Sequence, residues 1–295
     1  VKPLKKSVKR NLIAAAFIVP SLFIFINVVI IPFVMGIVYS FTDWDGFQFA
    51  GSKFVGFQNY VQVFQDSDFL TSFGLTFKYA VCMIILVNVI GLSLAMLVTS
   101  KIKSRNLLRS IYFLPNLIGG LILGFIWKFV FTKFFVQVGE VLGNSSIFFN
   151  WLDDPTASFW ALVFVGTWQM AGYVMIIYIA AIQGVSDEVL EAADMDGAGG
   201  WMRFRKIMFP LIMPAFTISL FLTLSNAFKQ YDTNISLTNG GPYGTTELVA
   251  MNIFKTAFSM NQYSLAQAKA IIFFLVILVV TVTQVVISKK REVEQ

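Results

Sequence analysis

The sequence predicts an all-α membrane protein with six spans, and three observations carry that reading. Hydrophobic residues fill 57% of the 295 positions and charged residues only 13%, a balance foreign to soluble domains. The apolar positions gather into runs of about twenty residues or more, long enough to cross a hydrocarbon layer as helices. Most lysines and arginines collect in alternate connections between those runs, as the positive-inside bias demands of a polytopic chain.

Residues 1–11 form a basic tail with Lys2, Lys5, Lys6, Lys9 and Arg10. The run 12–41 follows as helix one. It is too long for a signal-peptide core and lacks a clear small-residue cleavage site. Its Pro20 and Pro32 are tolerable because neighbouring helices re-satisfy the freed backbone. Residues 43–69 read as a polar and aromatic outer loop, 73–99 as helix two, 101–109 as a short basic loop and 110–131 as helix three. In the loop 133–157, Asp153-Asp154-Pro155 marks a turn. Helix four covers 159–183 and helix five 207–228. Between them lies a polar insert at 186–210. The loop 230–262 contains the strong turn signal Asn239-Gly240-Gly241-Pro242. Helix six covers 263–288, and 289–295 is a charged tail. The chain therefore divides into 1–69, the tail with the first helix and outer loop, and 70–295, a five-helix core. No repeat, heptad or low-complexity linker interrupts it.

With six spans, the tail, Lys101, Lys103, Arg105, Arg109, Arg203, Arg205, Lys206, Lys289, Lys290 and Arg291 all fall on one side. The opposite loops hold only Lys53, Lys133 and Lys255. Both termini and the 186–210 insert are thus expected in the cytoplasm. The net charge of +6 is this bias, and no nucleic-acid partner is expected. Lys78, Lys128, Lys229 and Lys269 lie within or at the ends of spans, toward the outer side. A charge deep in the bilayer costs on the order of 3 kcal/mol. Lys78 and Lys128 read as snorkelling to outer headgroups. Lys229 sits in a polar cluster with Asn226, Gln230 and Asp232, and Lys269 lies beside Gln267. Both are candidates for an aqueous vestibule. Asn27 and Asn88 read as helix-to-helix hydrogen bonds.

The chain lacks the residues of catalysis. It has no histidine and one cysteine, Cys82, inside an apolar run. No phosphate loop, G-x-S-x-G, H-E-x-x-H or C-x-x-C motif occurs. Acidic residues concentrate outside the spans, so no proton relay is visible. No enzyme activity, cofactor or metal is expected, and uphill transport would need a partner to supply the energy.

The polar insert has its own pattern. Ser186 can cap a helix whose first turn carries Asp187 and Glu188. Val189, Ala192, Ala193 and Met195 give that helix an apolar side. Gly197, Gly199 and Gly200 stop or bend it. An amphipathic helix restarts at Trp201, and Pro210 marks the next transition. On these residues alone, a plain connector and a docking elbow both stand. Glu191-Ala192-Ala193, three residues, Gly197, nine residues, Ile207, one residue, then Phe209-Pro210 resembles the EAA loop of binding-protein-dependent ABC importer permeases. Phe209 departs from that family, which has Leu there. The resemblance implies a loop that inserts into a cleft of an ATP-hydrolysing subunit, with Glu191, Ala192, Ala193, Asp196, Gly197, Ile207 and Pro210 as coupling residues. Glu191 is expected either to fix the elbow on backbone donors or to pair with a basic residue of the ATPase.

Three further stretches extend the likeness. Phe54-Val55-Gly56-Phe57-Gln58-Asn59-Tyr60, with Phe69 and Thr76, is similar to the FVGxxNY…F…NT pattern of sugar permeases, although Leu75 stands where that pattern has Asn. The segment Leu107-Leu108-Arg109-Ser110-Ile111-Tyr112-Phe113-Leu114-Pro115, then Trp127, resembles their helix-three signature. Leu237-Thr238-Asn239-Gly240-Gly241-Pro242 resembles their outer loop after helix five. Together these point to the carbohydrate-uptake class, similar to maltose and glycerol-phosphate permease subunits. That class implies a heterodimer with a second related permease, two ATPase subunits, an extracytoplasmic solute-binding protein and the bacterial cytoplasmic membrane. Lys269 departs from the small residues usual at its position.

The substrate path is expected on helix four. Gly166, Gln169, Met170 and Tyr173 share one face by three- and four-residue spacing. A small residue, an amide, a thioether and a phenol suit a sugar's hydroxyls and C–H faces, and they equally suit tight helix packing. In similar permeases, positions corresponding to these residues and to Asn226 lie on or near the sugar-contacting helices. The expectation is a midplane cavity formed with Asn226, Lys229 and Gln230, in which Tyr173 stacks on a sugar and Gln169 and Asn226 bond its hydroxyls. The substrate expected is a di- or oligosaccharide. A polyol, phosphodiester or peptide importer, an ion-coupled secondary transporter and a structural scaffold are the alternatives.

Overall fold

The computed structural model describes residues 6–47, 51–100, 102–144 and 146–290, with side chains from Ala14 onward. The basic side chains expected at Lys2, Lys5, Lys6, Lys9, Arg10, Lys101 and Arg291 fall outside that description. In chain order the helices are α1 (Lys6–Phe25), α2 (Ile31–Tyr39), α3 (Gln58–Gln65), α4 (Ser67–Thr99), α5 (Arg105–Phe113), α6 (Gly120–Phe129), α7 (Phe135–Leu142), α8 (Pro155–Gln183), α9 (Asp187–Met195), α10 (Gly200–Arg203), α11 (Phe209–Leu211), α12 (Met213–Phe228), α13 (Asp232–Leu237), α14 (Val249–Phe254) and α15 (Tyr263–Lys289). Among the described residues the only β pairing is an isolated bridge between Thr42 and Phe54. Among the described residues five runs are long and apolar enough to span a membrane: Ala14–Tyr39, Ser67–Thr99, Gly120–Leu142, Pro155–Gln183 and Tyr263–Lys289. Gly200–Leu211 with Met213–Phe228, bent by 70°, makes a sixth if the pair is one span.

The chain forms two compact units. Val1–Asp66 and Ile253–Ile272 make one; Ser67–Asn252 and Phe273–Gln295 make the other. In the first unit a π-helical turn, Ile26–Ile30, precedes Pro32 and takes up the distortion that proline brings. Asn27 lies in this turn. Its amide bonds Phe23 O of its own helix at 2.8 Å, not another helix, because that face is exposed. Asn59 is buried and its Nδ2 donates to the carbonyls of Ser40 (2.8 Å) and Thr42 (2.9 Å), closing the loop after α2.

Lys269 corrects a second expectation. It neither snorkels nor faces an aqueous vestibule. It is 2% exposed, and its Nζ meets Asp66 Oδ2 at 2.7 Å and Thr256 Oγ1 at 2.8 Å. A carboxylate and a hydroxyl offset the desolvation that would otherwise expel an ammonium from such a place.

In the second unit α4 and α8 pack along their length. Tyr79, Met83, Val87 and Ala95 of α4 are buried, as are Leu162, Val165, Val174 and Met175 of α8. Asn88 here does link helices: its Oδ1 accepts from Tyr178 OH at 2.7 Å. Helix α8 begins earlier than its apolar run because Asp154 caps it. Asp154 Oδ1 accepts from Ala157 N at 2.7 Å, and Pro155 follows in the first turn, where its missing N–H costs nothing.

Helix three is broken, and it runs past the bounds expected from sequence. After α5 comes a 3-10 turn, Leu114–Leu117, containing Pro115. Ile118 is then extended (φ −84°, ψ 127°) before α6 restarts at Gly120. The helix continues through a π turn and α7 to Leu142, well beyond residue 131. Non-helical backbone at membrane depth survives only where protein or a cavity satisfies it, and that requirement leads to the site.

Candidate functional site

The break in helix three exposes the Ile118 carbonyl, and Gln169 of α8 answers it, donating from Nε2 at 3.0 Å. On the far side of the break, Gly120 and Gly124 lie one turn apart on α6 and present a flat face. Helix α13 sits against it so closely that a Cβ at Gly120 would come within 2.9 Å of Asp232 Cβ, and one at Gly124 within 2.9 Å of Ser236 Cβ. This seat holds the chain that follows α12 over the break.

A cavity of about 510 Å³ lies between these elements. Gln169, Met170 and Tyr173 line it from α8, and Leu222, Ser225 and Asn226 from α12. Lys229, Gln230, Tyr231, Asp232 and Thr233 line it after α12, and Asn116 and Gly120 from the broken helix. The structure thus brings together six of the residues singled out from sequence: Gln169, Met170, Tyr173, Asn226, Lys229 and Gln230. Met170 is buried, Gln169, Tyr173 and Gln230 are half-buried, and Asn226 and Lys229 are exposed. Gly166 is not among them. A Cβ there would run into the Tyr79 hydroxyl and come within 3.1 Å of Met83 Cε, so Gly166 serves the packing of α8 on α4. Lys78, expected to snorkel, is exposed and rests its ammonium 4.4 Å above the Phe159 ring.

Sequence reasoning missed Asn116, Ser225, Tyr231 and Thr233. Ser225 carried a usable signal, since Leu222, Ser225, Asn226 and Lys229 share a face at helical spacing. The cavity therefore offers amides, hydroxyls, phenols, a thioether, one ammonium and one carboxylate. Burial and then the Asp232 carboxylate raise the Tyr231 phenol above its ordinary pKa. No group of three or more Asp, Glu or Cys side chains capable of holding a metal occurs among the described residues. These are groups that can meet hydroxyls and apolar C–H faces alike.

Helix α8 continues into the polar insert. Ser186 occupies the N-cap position with extended backbone (φ −67°, ψ 141°), but its hydroxyl makes no capping bond, contrary to expectation. Helix α9 closes in a Schellman turn: Ala198 N donates to Ala193 O at 3.0 Å and Gly197 N to Asp194 O at 3.1 Å. Gly197 supplies the positive φ of 76° that this turn needs. Arg203 then reaches back to both carboxylate oxygens of Asp194 at 2.9 Å. That half-exposed pair fixes the elbow's geometry more than its energy. Glu191 does not fix the elbow; its carboxylate is exposed and has no partner among the described residues. Ala193 is buried, Ala192 and Asp196 are exposed, and Ile207 and Pro210 are half-buried.

The elbow also displays large apolar side chains. Met195 is 88% and Trp201 72% exposed. From Trp201 a series of rings runs into α12: Trp201–Phe204 (5.6 Å between centroids), Phe204–Phe209 (5.9 Å) and Phe209–Phe216 (5.6 Å). The last pair straddles the 70° bend at buried Ile212.

Known proteins resemble this chain along its length. The family of binding-protein-dependent transport system inner membrane components matches residues 87–293. A probable starch degradation products transport system permease protein of Thermoanaerobacterium thermosulfurigenes is 50% identical over 278 residues, 94% of each chain. A multiple sugar-binding transport system permease protein of Streptococcus mutans is 31% identical over 262 residues, 89% of this chain and 90% of its own. A bacterial ABC transporter involved in the import of the acidic polysaccharide alginate contains a chain matching with a TM-score of 0.83 at 21% identity, over 97% of this chain and 98% of that one. That last likeness is one of fold.

Proposed function

The chain belongs to the family of binding-protein-dependent transport system inner membrane components, and from that premise we propose that it forms half of the translocation path of an ATP-driven importer of di- or oligosaccharides. It is a multi-pass permease subunit of an ABC importer and not an enzyme. The relatives that share half and about a third of its residues are named for starch degradation products and multiple sugars.

One observation carries the substrate reading. The α8 face and the far end of α12 converge on a single cavity whose lining mixes amides, phenols and a thioether. Tyr173 stacks on a sugar face there, while Asn226 and the free acceptor of Gln169 meet hydroxyls. Both helices join the same insert, 186–210, so a movement of the insert reaches the cavity through continuous backbone.

The partners follow from the same reading. A second, related permease completes the path, two ATPase subunits dock on the insert, and an extracytoplasmic solute-binding protein delivers the sugar. Glu191, Ala192, Ala193, Asp196, Gly197, Ile207 and Pro210 form the docking element together with the exposed Met195 and Trp201. ATP-driven closure of the ATPases shifts the insert and turns the path from outward to inward access. Both termini then lie in the cytoplasm of a bacterial cell. Reconstitution with the ATPase and the binding protein tests this: sugar should stimulate ATP hydrolysis and uptake together. Uptake without the ATPase, driven by an ion gradient, would replace the reading by secondary transport.

A further inference from the structure

A second concavity lies away from the sugar cavity and the insert. It is an apolar crevice of about 200 Å³ between α4, α5 and α8, lined chiefly by Ile90, Leu94, Tyr112, Phe164, Trp168 and Ala171. Thr167 also lines it, but its hydroxyl turns to Met83 Sδ at 3.5 Å. Ile90, Phe164 and Trp168 are 38%, 47% and 39% exposed, so the crevice opens at the surface of the helix bundle instead of being sealed within it. Exposed apolar surface at the middle of spanning helices meets hydrocarbon.

Helix α5 adds an electrostatic feature at one end. Arg105, Arg109 and Tyr112 share a face at four- and three-residue spacing. At 1.5 Å per residue, Arg109 stands about 4.5 Å along the helix from Tyr112. Its Nε is buried and has no hydrogen-bond partner among the described residues. Arg105 shares a different cavity with Asp187 and Arg203, which leaves Arg109 as the cation nearest the crevice in sequence. A half-exposed guanidinium one helical turn from a hydrocarbon slot fits a ligand that is anionic at one end and apolar at the other. An apolar helix of a partner protein would fill the slot but leave the guanidinium unmatched.

We infer that this crevice is a binding site for an anionic phospholipid, with part of one acyl chain between Leu94, Tyr112 and Trp168 and the phosphate on Arg109. The site lies behind the broken helix three, because α5 leads directly into the turn that carries Asn116 to the sugar cavity. Bound lipid therefore braces the segment that shapes that cavity.

The assembled transporter, purified in detergent, tests the site by native mass spectrometry after exposure to phosphatidylglycerol or phosphatidylcholine. Wild type should retain phosphatidylglycerol with a preference of about fivefold, the weight of one arginine against an anionic lipid. Arg109→Gln should abolish the preference, and Ile90→Trp, which fills the crevice from its exposed rim, should lower retention of both lipids. Inorganic phosphate should not displace the lipid. Equal retention of both lipids by wild type, or unchanged retention in both variants, overturns the inference, as does displacement by phosphate alone. Should Arg109→Gln fail to assemble, a photoreactive phosphatidylglycerol on wild type decides: labelling within 105–113 or 164–172 supports the site, and labelling confined elsewhere overturns it. A cross-link from residue 90 to a partner permease would name that protein as the occupant and also overturns it.

Discussion

Gly197 offers the sharpest test of the docking elbow, because the structure separates two effects that a glycine substitution usually mixes. Its φ is +76°, and a Cβ built on it meets no atom within 4 Å. Within this chain an alanine is therefore penalised only by backbone conformation. Holding an L-residue in the left-handed region costs roughly 1–2 kcal/mol, and asparagine pays less than other residues because it visits that region more readily. A penalty of 1–2 kcal/mol shifts the elbow's equilibrium by a factor of about 5–30. The series Gly197→Ala, Gly197→Asn and Gly197→Leu then reads out the cause. If only the turn matters, Ala and Leu should weaken ATPase association by that factor alike, and Asn should lose less. If the ATPase also approaches residue 197 closely, Leu should fall far below Ala. Association by co-purification and sugar-stimulated hydrolysis are measured on the same preparations. Normal values of both in all three variants would refute the role given to the insert.

Three further outcomes follow from the geometry. Asn226→Leu should alter sugar preference by roughly 1 kcal/mol for its lost hydrogen bond, and Tyr173→Ala through its lost stacking, with expression, ATPase binding and basal hydrolysis near normal; a uniform fall for every sugar, alongside folded yield, would assign both residues to packing. Lys269→Met strands Asp66 without its buried partner and should cost about 3 kcal/mol in thermal unfolding, the low end for such pairs because Asp66 is partly exposed, while adding Asp66→Leu should restore most of it. A cysteine at Asn239, in a chain with Cys82 replaced, should react with an impermeant reagent on intact cells, and one at Ser288 should not; reaction at 288 alone reverses the proposed orientation.

The spans were legible because burial in lipid demands long apolar runs, and such runs cannot be mistaken for loops. Their ends were less so. Asp154 and Pro155 read as a turn because a cap and a turn use the same residues. The break in helix three was hidden because the residue that goes extended, Ile118, is as apolar as its neighbours. Lys269 misled because its carboxylate, Asp66, lies far away in sequence and only the fold joins them. At the cavity, helical spacing picked the right face of α8, yet it could not tell which turn meets open space. Gly166 belongs to that face and packs on Tyr79, whereas Gln169 and Tyr173, one and two turns on, line the cavity. Asn116 and Thr233 gave no warning, since a short polar side chain in an apolar stretch looks like packing.

The bend at Ile212 decides what a push on the insert becomes. Rings that touch on both sides of it, Phe209 and Phe216, resist its opening and closing, so the two arms turn together like a bell-crank rather than folding like a hinge. Because the arms meet at 70°, a thrust along Gly200–Leu211 would swing Met213–Phe228 sideways more than slide it. The latter arm has 16 residues, about 24 Å at 1.5 Å per residue, so a swing of about 5° carries its far end by roughly 2 Å. Hydrogen bonds tolerate only a few tenths of an ångström around their optimum. Under the coupling proposed above, a swing of that size would carry Asn226 out of hydrogen-bond range of a bound sugar without the cavity having to be prised open.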